Sequence, residues 1–368
     1  MKILQIINSL ATGGAEKLLL DTLPLYRKAG IEMDVLLLYD NDAVFTQKLR
    51  ALNCCTIHVL KKSNSYKDIY SLSHIYKIAK FIKQYDIAHV HLFPAQYFTV
   101  IANALNGNGT KLIFTEHNTS NKRNKKSYFK PLENFIYRRY NKLICISDEI
   151  ALIFKAYLPK YKNAMVTICN GVDLTEIDNA TSLNRTEINA SINSNDIILI
   201  QIAAFRAQKD QTTLIKTMPL LPINVKLLLV GEGVEKEKCQ QLVHQLNLSD
   251  RVFFLGIRMD VPQLLKTADI VVLSSKYEGL SLSSIEGMAS GKPFIASNVP
   301  GLREIVEGAG VLFEQENSEN LAEEILKLLS DKEVYETVAK ACKARASQYD
   351  IQIMVEKHIQ LYKELYES

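Results

Sequence analysis

The sequence predicts two consecutive α/β domains, each a parallel sheet covered on both faces by helices. Short apolar runs alternate with helix-period segments over residues 1–150, and the alternation restarts at Ile197. That order builds parallel sheets. Between the two series the pattern weakens over Asp178–Asp196, which is rich in Asn, Thr and Ser and marks an interdomain region. The 368 residues suit two domains, at roughly 100–200 residues each.

The elements follow in order. Lys2–Ile7 reads as a strand and Ala15–Ala29 as a helix ended by Gly30. Glu32–Leu38 is the next strand. Tyr70–Tyr85 is a helix, Ile87–His91 a strand, Tyr97–Asn106 a helix and Lys111–Thr115 a strand. Leu143–Ile146 is a strand, with Ser147-Asp148-Glu149 capping a helix behind it. In the second series the strands are Ile197–Ala203, Val225–Val230, Val252–Leu255, Ile270–Leu273 and Pro293–Ala296. One long helix, Val334–Tyr366, closes the chain.

Composition narrows the function. Apolar residues make up 47%, and Gly 15 with Pro 9 is too few for a disordered or collagen-like chain. The six cysteines form no C-x-x-C pair, which removes zinc-ribbon and thioredoxin-like readings. Reduced thiols in a cytoplasm are expected. Met1–Leu10 lacks a signal-peptide cleavage pattern and fits a first strand. No apolar stretch reaches the ~18–20 residues of a membrane span. Residues 1–180 carry 24 Lys+Arg against 15 Asp+Glu, whereas residues 181–368 carry 20 against 25. A basic half joined to an acidic half fits domains with different partners.

Candidate chemistry sits where strands run into helices, because ligands of such sheets lie beyond the carboxyl ends of the strands. Gly13-Gly14-Ala15-Glu16 follows the first strand. Glycine admits close approach, and amides at a helix start favour an anion. Arg206 and Lys209 follow the strand at Ile197, two cations suited to a diphosphate, with Asp210 capping a helix over Gln211–Met218. After Ile270–Leu273 the chain reads S-S-K-Y-E-G-L-S-L-S-S-I-E-G-M-A-S-G-K-P. Glu278 precedes a helix near Leu280–Ser290 and Glu286 lies inside it, where a solvated face does not explain it. His89 and His91 share one face of their strand, and His117 ends the next. Converging histidines allow a metal site, but no ligand spacing with carboxylates supports one. Asp40-Asn41-Asp42 is read as a polar loop.

Glu278 and Glu286 bracket seven residues. This E-x7-E segment, the following G-L-R-E-I-V, the early Gly-Gly-Ala-Glu and the run Leu228-Val230-Gly231-Glu232-Gly233 together resemble retaining nucleotide-sugar glycosyltransferases of family 4, glycosyl transferase group 1. The resemblance spans nearly the whole chain. It implies the GT-B fold, two doubly wound Rossmann-like domains facing across a deep cleft. The first, 1–175, would take the acceptor and be completed by a C-terminal helix at about 350–368. The second, 176–349, would take the donor. It implies that Glu286 binds the ribose hydroxyls and Glu278 faces the donor sugar. Amides of Gly279, Leu280, Ser281, Leu282 and Gly14 would hold the diphosphate. Lys209 would neutralise the leaving phosphate, Gly256-Ile257-Arg258 would line the base pocket, and His117 would sit near the donor sugar. On that reading the catalytic group is His117, Lys209 and Glu278. Gly13, Glu16 and His91 belong to the acceptor side. The family commonly has an Arg five residues before this Lys; here it is Ala204, and Arg206 would supply the charge from a shifted position.

Asn121–Lys130 is dense in cations, with Lys122, Arg123, Lys125 and Lys126, and aromatic residues follow. With a family that often takes lipid-linked acceptors, this predicts an anionic membrane surface as a partner, rather than nucleic acid. The expected activity is transfer of a hexosyl or N-acetylhexosaminyl unit from a nucleotide sugar, a UDP-sugar first, to a glycan or polyprenyl-diphosphate-linked acceptor in bacterial surface-polysaccharide assembly. No metal cofactor is expected, and the expected location is the cytoplasmic face of the plasma membrane. The alternatives are a nucleotide-sugar 2-epimerase on the same scaffold and a non-catalytic, membrane-associated nucleotide-sugar binder.

Overall fold

A computed structural model describes residues 1–11, 13–117 and 129–368. The chain divides into two compact units, Met1–Gly171 with Ile351–Ser368, and Val172–Asp350.

The first unit holds β1 (Lys2–Ile7), β2 (Glu32–Leu37), β3 (Ile57–Val59), β4 (Ile87–His91), β5 (Lys111–Glu116), β6 (Lys142–Cys145) and β7 (Met165–Thr167). All pair in parallel, in the order β3-β2-β1-β4-β5-β6-β7. Helices cover both faces, so the central strands read as nearly continuous apolar runs. Ile3, Leu4, Ile6 and Ile7 of β1 are fully buried, each contributing roughly 1.5–3 kcal/mol. The buried exceptions are polar: Gln5, His89, His91 and Thr115.

The second unit holds β8 (Ile197–Ile202), β9 (Val225–Val230), β10 (Val252–Gly256), β11 (Ile270–Leu273), β12 (Phe294–Ser297) and β13 (Val311–Phe313). This parallel sheet runs β10-β9-β8-β11-β12-β13. Leu199, Leu227, Val272 and Ile295 of its strands pack with Leu214, Val243, Leu321 and Ile325 of its helices.

Strand order reverses direction between β1 and β4 in one sheet and between β8 and β11 in the other. In such sheets the chain leaves neighbouring strands toward opposite faces at the reversal, and a crevice opens there. The loops after those four strands carry most of the sequence candidates.

Several expectations need correction. Asp178–Asp196 is not a linker but part of the second unit. Ile177, Ile188 and Ile192 bury few but well-placed side chains, and Arg185 binds the Asp269 carboxylate at 3.1 and 3.2 Å. The closing helix is broken. Helix Lys332–Ala346 ends in a short turn at Ser347–Tyr349, and helix Ile351–Glu367 belongs to the first unit. Asp350 is extended there, bridged to Val172. The helix expected over Tyr70–Tyr85 starts only at Ser73 and ends at Ile82. Strands β3 and β7, three residues each, were too short to announce themselves.

Candidate functional site

In the second unit, the loop after β8 and the loop after β11 meet at the sheet's reversal. The Lys209 Nζ stands 2.6 Å from Glu278 Oε1, with side chains 17% and 6% exposed. The two loops are laced together by the backbone. The Lys276 amide donates to the Gln208 carbonyl at 2.7 Å, and Gln208 Nε2 donates to the Tyr277 carbonyl at 2.8 Å. Beneath them Ser274 Oγ donates to the carbonyls of Lys209 and Asp210, and Gln201 Nε2 donates to the Lys209 carbonyl at 3.0 Å. Lys209 is therefore held at its main chain by buried polar groups of both strands.

Gly301 explains how the Glu278 loop is seated. Its φ is +83°, and a Cβ there would stand 2.2 Å from the Glu278 carbonyl oxygen. Only glycine admits that approach. Helix Leu282–Ala289 then begins behind Ser281, later than expected, and Glu286 lies inside it and is buried. Amides in the first turn of a helix have no intrahelical acceptor, so this start is suited to an anion.

The neighbouring loops are tied similarly. The Phe205 amide donates to the Glu232 carbonyl and the Glu235 amide to the Phe205 carbonyl, both at 3.0 Å. Gly231 and Gly233 press their backbones on Ala203 and Phe205, where a Cβ would come within 2.3 Å. Ala204 sits in this contact, its carbonyl accepting from Gln211 Nε2. Arg206 is exposed and makes no ion pair among the described residues. Gly256 takes φ +65° at the end of β10, and Arg258 binds the Asp260 carboxylate, Nε to Oδ1 at 2.7 Å. Asp210 differs from expectation: it takes φ +45°, and its carboxylate accepts from Thr213 Oγ1 rather than from a helix amide.

In the first unit the reversal joins the loops after β1 and β4. Asn8 Nδ2 donates to the Phe93 carbonyl at 2.8 Å. Gly13 caps helix Gly14–Lys28 without a side-chain bond. The Glu16 carboxylate folds over this start, so near that a Cβ on Gly13 would lie 2.3 Å from Oε2. Behind it lies a buried polar network. His91 contacts Gln5 Oε1 through Nε2 at 2.9 Å and His117 Nε2 through Nδ1 at 3.1 Å. His89 contacts Tyr362 Oη and Thr115 Oγ1, both at 2.6 Å, a structural role. His358 Nδ1 meets Tyr26 Oη at 2.7 Å. Burial holds His117 down to about 4 and His358 down to about 3, and it holds His89 and His91 well below the usual histidine range. All four rings are neutral at pH 7. The network lines a small cavity together with Asn170, Ile146 and Ile168.

Sequence reasoning missed Gln5, Tyr26, His358, Tyr362, Gln201 and Ser274. Two of them left a signal: Gln5 and Gln201 are lone amides inside the apolar runs of β1 and β8. Such residues are buried only with partners.

Asp40 and Asp42 are satisfied locally by Arg50, at 2.9 and 2.7 Å, and Asp40 also by Thr46. Among the described residues no group of three or more His, Cys, Asp or Glu side chains is placed to hold a metal ion. Among them no helix is long and apolar enough to cross a membrane. Lys122, Arg123, Lys125 and Lys126 lie outside the described residues.

Comparison with known proteins matches two family models. Residues 12–176 match Glycosyltransferase Family 4, and residues 184–345 match Glycosyl transferases group 1. An N-acetyl-alpha-D-glucosaminyl L-malate synthase of Bacillus anthracis is 28% identical over 76% of this chain and 74% of its own length. A UDP-Gal:alpha-D-GlcNAc-diphosphoundecaprenol alpha-1,3-galactosyltransferase of Escherichia coli is 27% identical over 80% of this chain and 79% of its own. Among solved structures, HepE of Anabaena, crystallised with UDP and glucose, superposes with a TM-score of 0.84 at 24% identity, over 99% of this chain and 100% of its own.

Proposed function

We propose that this chain, which belongs to the group 1, family 4 glycosyltransferases and has their GT-B fold, transfers a hexosyl or N-acetylhexosaminyl unit from a UDP-sugar with retention of configuration. The observation that carries the reading is the Lys209–Glu278 pair at the sheet reversal, with Glu286 in the helix that begins just behind it. UDP as the leaving group is supported by the neighbour crystallised with UDP and glucose and by the UDP-Gal relative.

The proposed chemistry follows from the parts. The diphosphate is held at the start of helix Leu282–Ala289, by the amides of Gly279–Leu282, and is neutralised by Lys209, with exposed Arg206 free to swing toward it. Glu286 takes the ribose hydroxyls. Gly256 and Arg258 border the base. Lys209 trades part of its bond to Glu278 for the phosphate, and Glu278 turns to the sugar hydroxyls. The bond from the sugar C1 to the phosphate oxygen breaks as the acceptor oxygen attacks from the same face. The acceptor proton passes to the leaving phosphate oxygen. Cations and oriented amides stabilise the departing charge without rearranging, and in many enzymes such stabilisation supplies most of the rate enhancement. Such a site needs no metal, so transfer survives EDTA; loss restored by manganese would refute this.

For the acceptor we propose a polyprenyl-diphosphate-linked glycan, as the Escherichia coli relative's name describes for its own. The cation-rich Lys122, Arg123, Lys125 and Lys126 would hold the chain at the inner face of an anionic membrane, in a surface-polysaccharide pathway. Incubation with labelled UDP-sugars, with and without lipid-linked acceptor, tests the assignment. Acceptor-dependent transfer is expected; isomerised free donor means an epimerase, and binding alone means a non-catalytic binder.

A further inference from the structure

The buried network of the first unit has a direction. The amide end of Gln5 that faces Met33 Sδ, at 3.5 Å, must be the NH₂, because a thioether sulfur only accepts. Its other end, Oε1, then accepts from His91 Nε2–H. A neutral His91 with its proton on Nε2 has a lone pair on Nδ1, which accepts from His117 Nε2–H at 3.1 Å. His117, also neutral, is left with an unprotonated Nδ1, which has no hydrogen-bond partner among the described residues.

A second branch agrees. Gln5 Nε2 also donates to Tyr362 Oη at 3.3 Å, a second acceptor on the same side of the amide, while the two hydroxyls that His89 meets, Tyr362 Oη and Thr115 Oγ1, satisfy either tautomer of that ring. Turning the Gln5 amide would set its oxygen against the Met33 sulfur and reverse every proton along the His91 branch. Gln5 is 1% exposed, out of reach of bulk water.

We infer that Gln5 is a positioning residue that acts through His91 to lock His117 as its Nε2–H tautomer, so that His117 Nδ1 accepts a hydrogen bond from a hydroxyl of the bound sugar. The ligand half of this inference rests on the proposed glycosyl transfer and on the family resemblance, which implies that His117 sits near the donor sugar; the tautomer half does not. A site with a fixed acceptor selects a hydroxyl over any group that cannot donate. Nothing in the sequence near His117 carries this information, because Gln5 is on β1 and His91 on β4.

Long-range nitrogen–proton correlation spectra of the full chain, labelled at histidine and recorded at neutral pH, test the tautomers without any ligand. His91 and His117 are expected as Nε2–H, with His117 assigned through His117→Gln. Gln5→Met removes the acceptor and should split or reverse the His117 tautomer. A wild-type His117 protonated on Nδ1, or a tautomer unchanged in Gln5→Met, overturns the role of Gln5. The wild-type spectrum decides even if the variants fail to fold. Transfer from UDP-sugars carrying fluorine in place of one hydroxyl tests the ligand half. Fluorine at one position should lower kcat/KM about tenfold or more, and Gln5→Met should lose that discrimination. Correct tautomers with no position discriminated would remove the sugar-facing role of His117 while leaving the wiring intact.

Discussion

Replacing either member of the Lys209–Glu278 pair strands a charge. At exposures of 17% and 6% the pair lies between two limits. Removing one partner of a fully buried pair costs about 3–5 kcal/mol, and an exposed pair is worth about 0–1 kcal/mol. Lys209→Met or Glu278→Gln should therefore each cost about 2–4 kcal/mol. For a unit the size of Val172–Asp350, that lowers Tm by roughly 5–15 °C. The double variant leaves no stranded charge, so it should be more stable than the sum of the singles by about 2 kcal/mol. Calorimetry is the suitable assay, since the chain has no Trp to report by fluorescence. All three variants should lose transfer, so stability recovered without activity separates what the pair does for the fold from what it does for the donor. Single-variant losses that add in the double to within about 0.5 kcal/mol would refute the coupling.

Three further outcomes follow. Glu286→Ala should weaken UDP binding about tenfold or more by calorimetric titration, since the buried carboxylate proposed to take the ribose hydroxyls is lost, whereas Glu278→Gln should leave UDP affinity nearly unchanged and abolish transfer; the reverse pattern would exchange their roles. The first unit should soften in acid. A histidine in the unfolded chain titrates near 6.5, while His117 and His358 are held at about 4 and about 3. The unfolded chain thus binds more protons below pH 6.5, and stability, complete above that pH, falls by about 1.4 kcal/mol per pH unit for each histidine, down to about pH 4 for His117 and about pH 3 for His358; His358→Gln should flatten the slope. Binding to anionic vesicles should fall as salt rises, because attraction is screened over a Debye length of about 8 Å at physiological salt, and changing Lys122, Arg123, Lys125 and Lys126 to Ser should reduce it without altering UDP affinity. Equal pelleting of the quadruple variant would refute the membrane role of these cations.

The parallel sheets were legible because β1, β4, β9 and β11 are buried almost throughout and so carry mostly apolar runs, broken only by single polar residues such as Gln5, His89 and Lys226. β3 and β7 are edge strands of three residues, below the length at which an apolar run differs from chance. The closing helix was misread for a different reason. Helical periodicity runs on across Ser347–Asp350, and nothing local records that Asp350 must extend to reach Val172.

The site divides along the same physical line. Glu278 and Glu286 were visible because both fall in one stretch, where a carboxylate among apolar neighbours stands out. That Glu278 meets Lys209 was not visible, since the partners are 69 residues apart and meet only because β8 and β11 are neighbours at the reversal. Gln5 was harder still. Its carbonyl matters only through a histidine 86 positions away, and its amide is oriented by a sulfur from the next strand. A lone amide in an apolar strand signals that partners exist without saying which. Once the strand order is known, the candidates shrink to the side chains that β2 and β4 place beside β1, and one of those is His91.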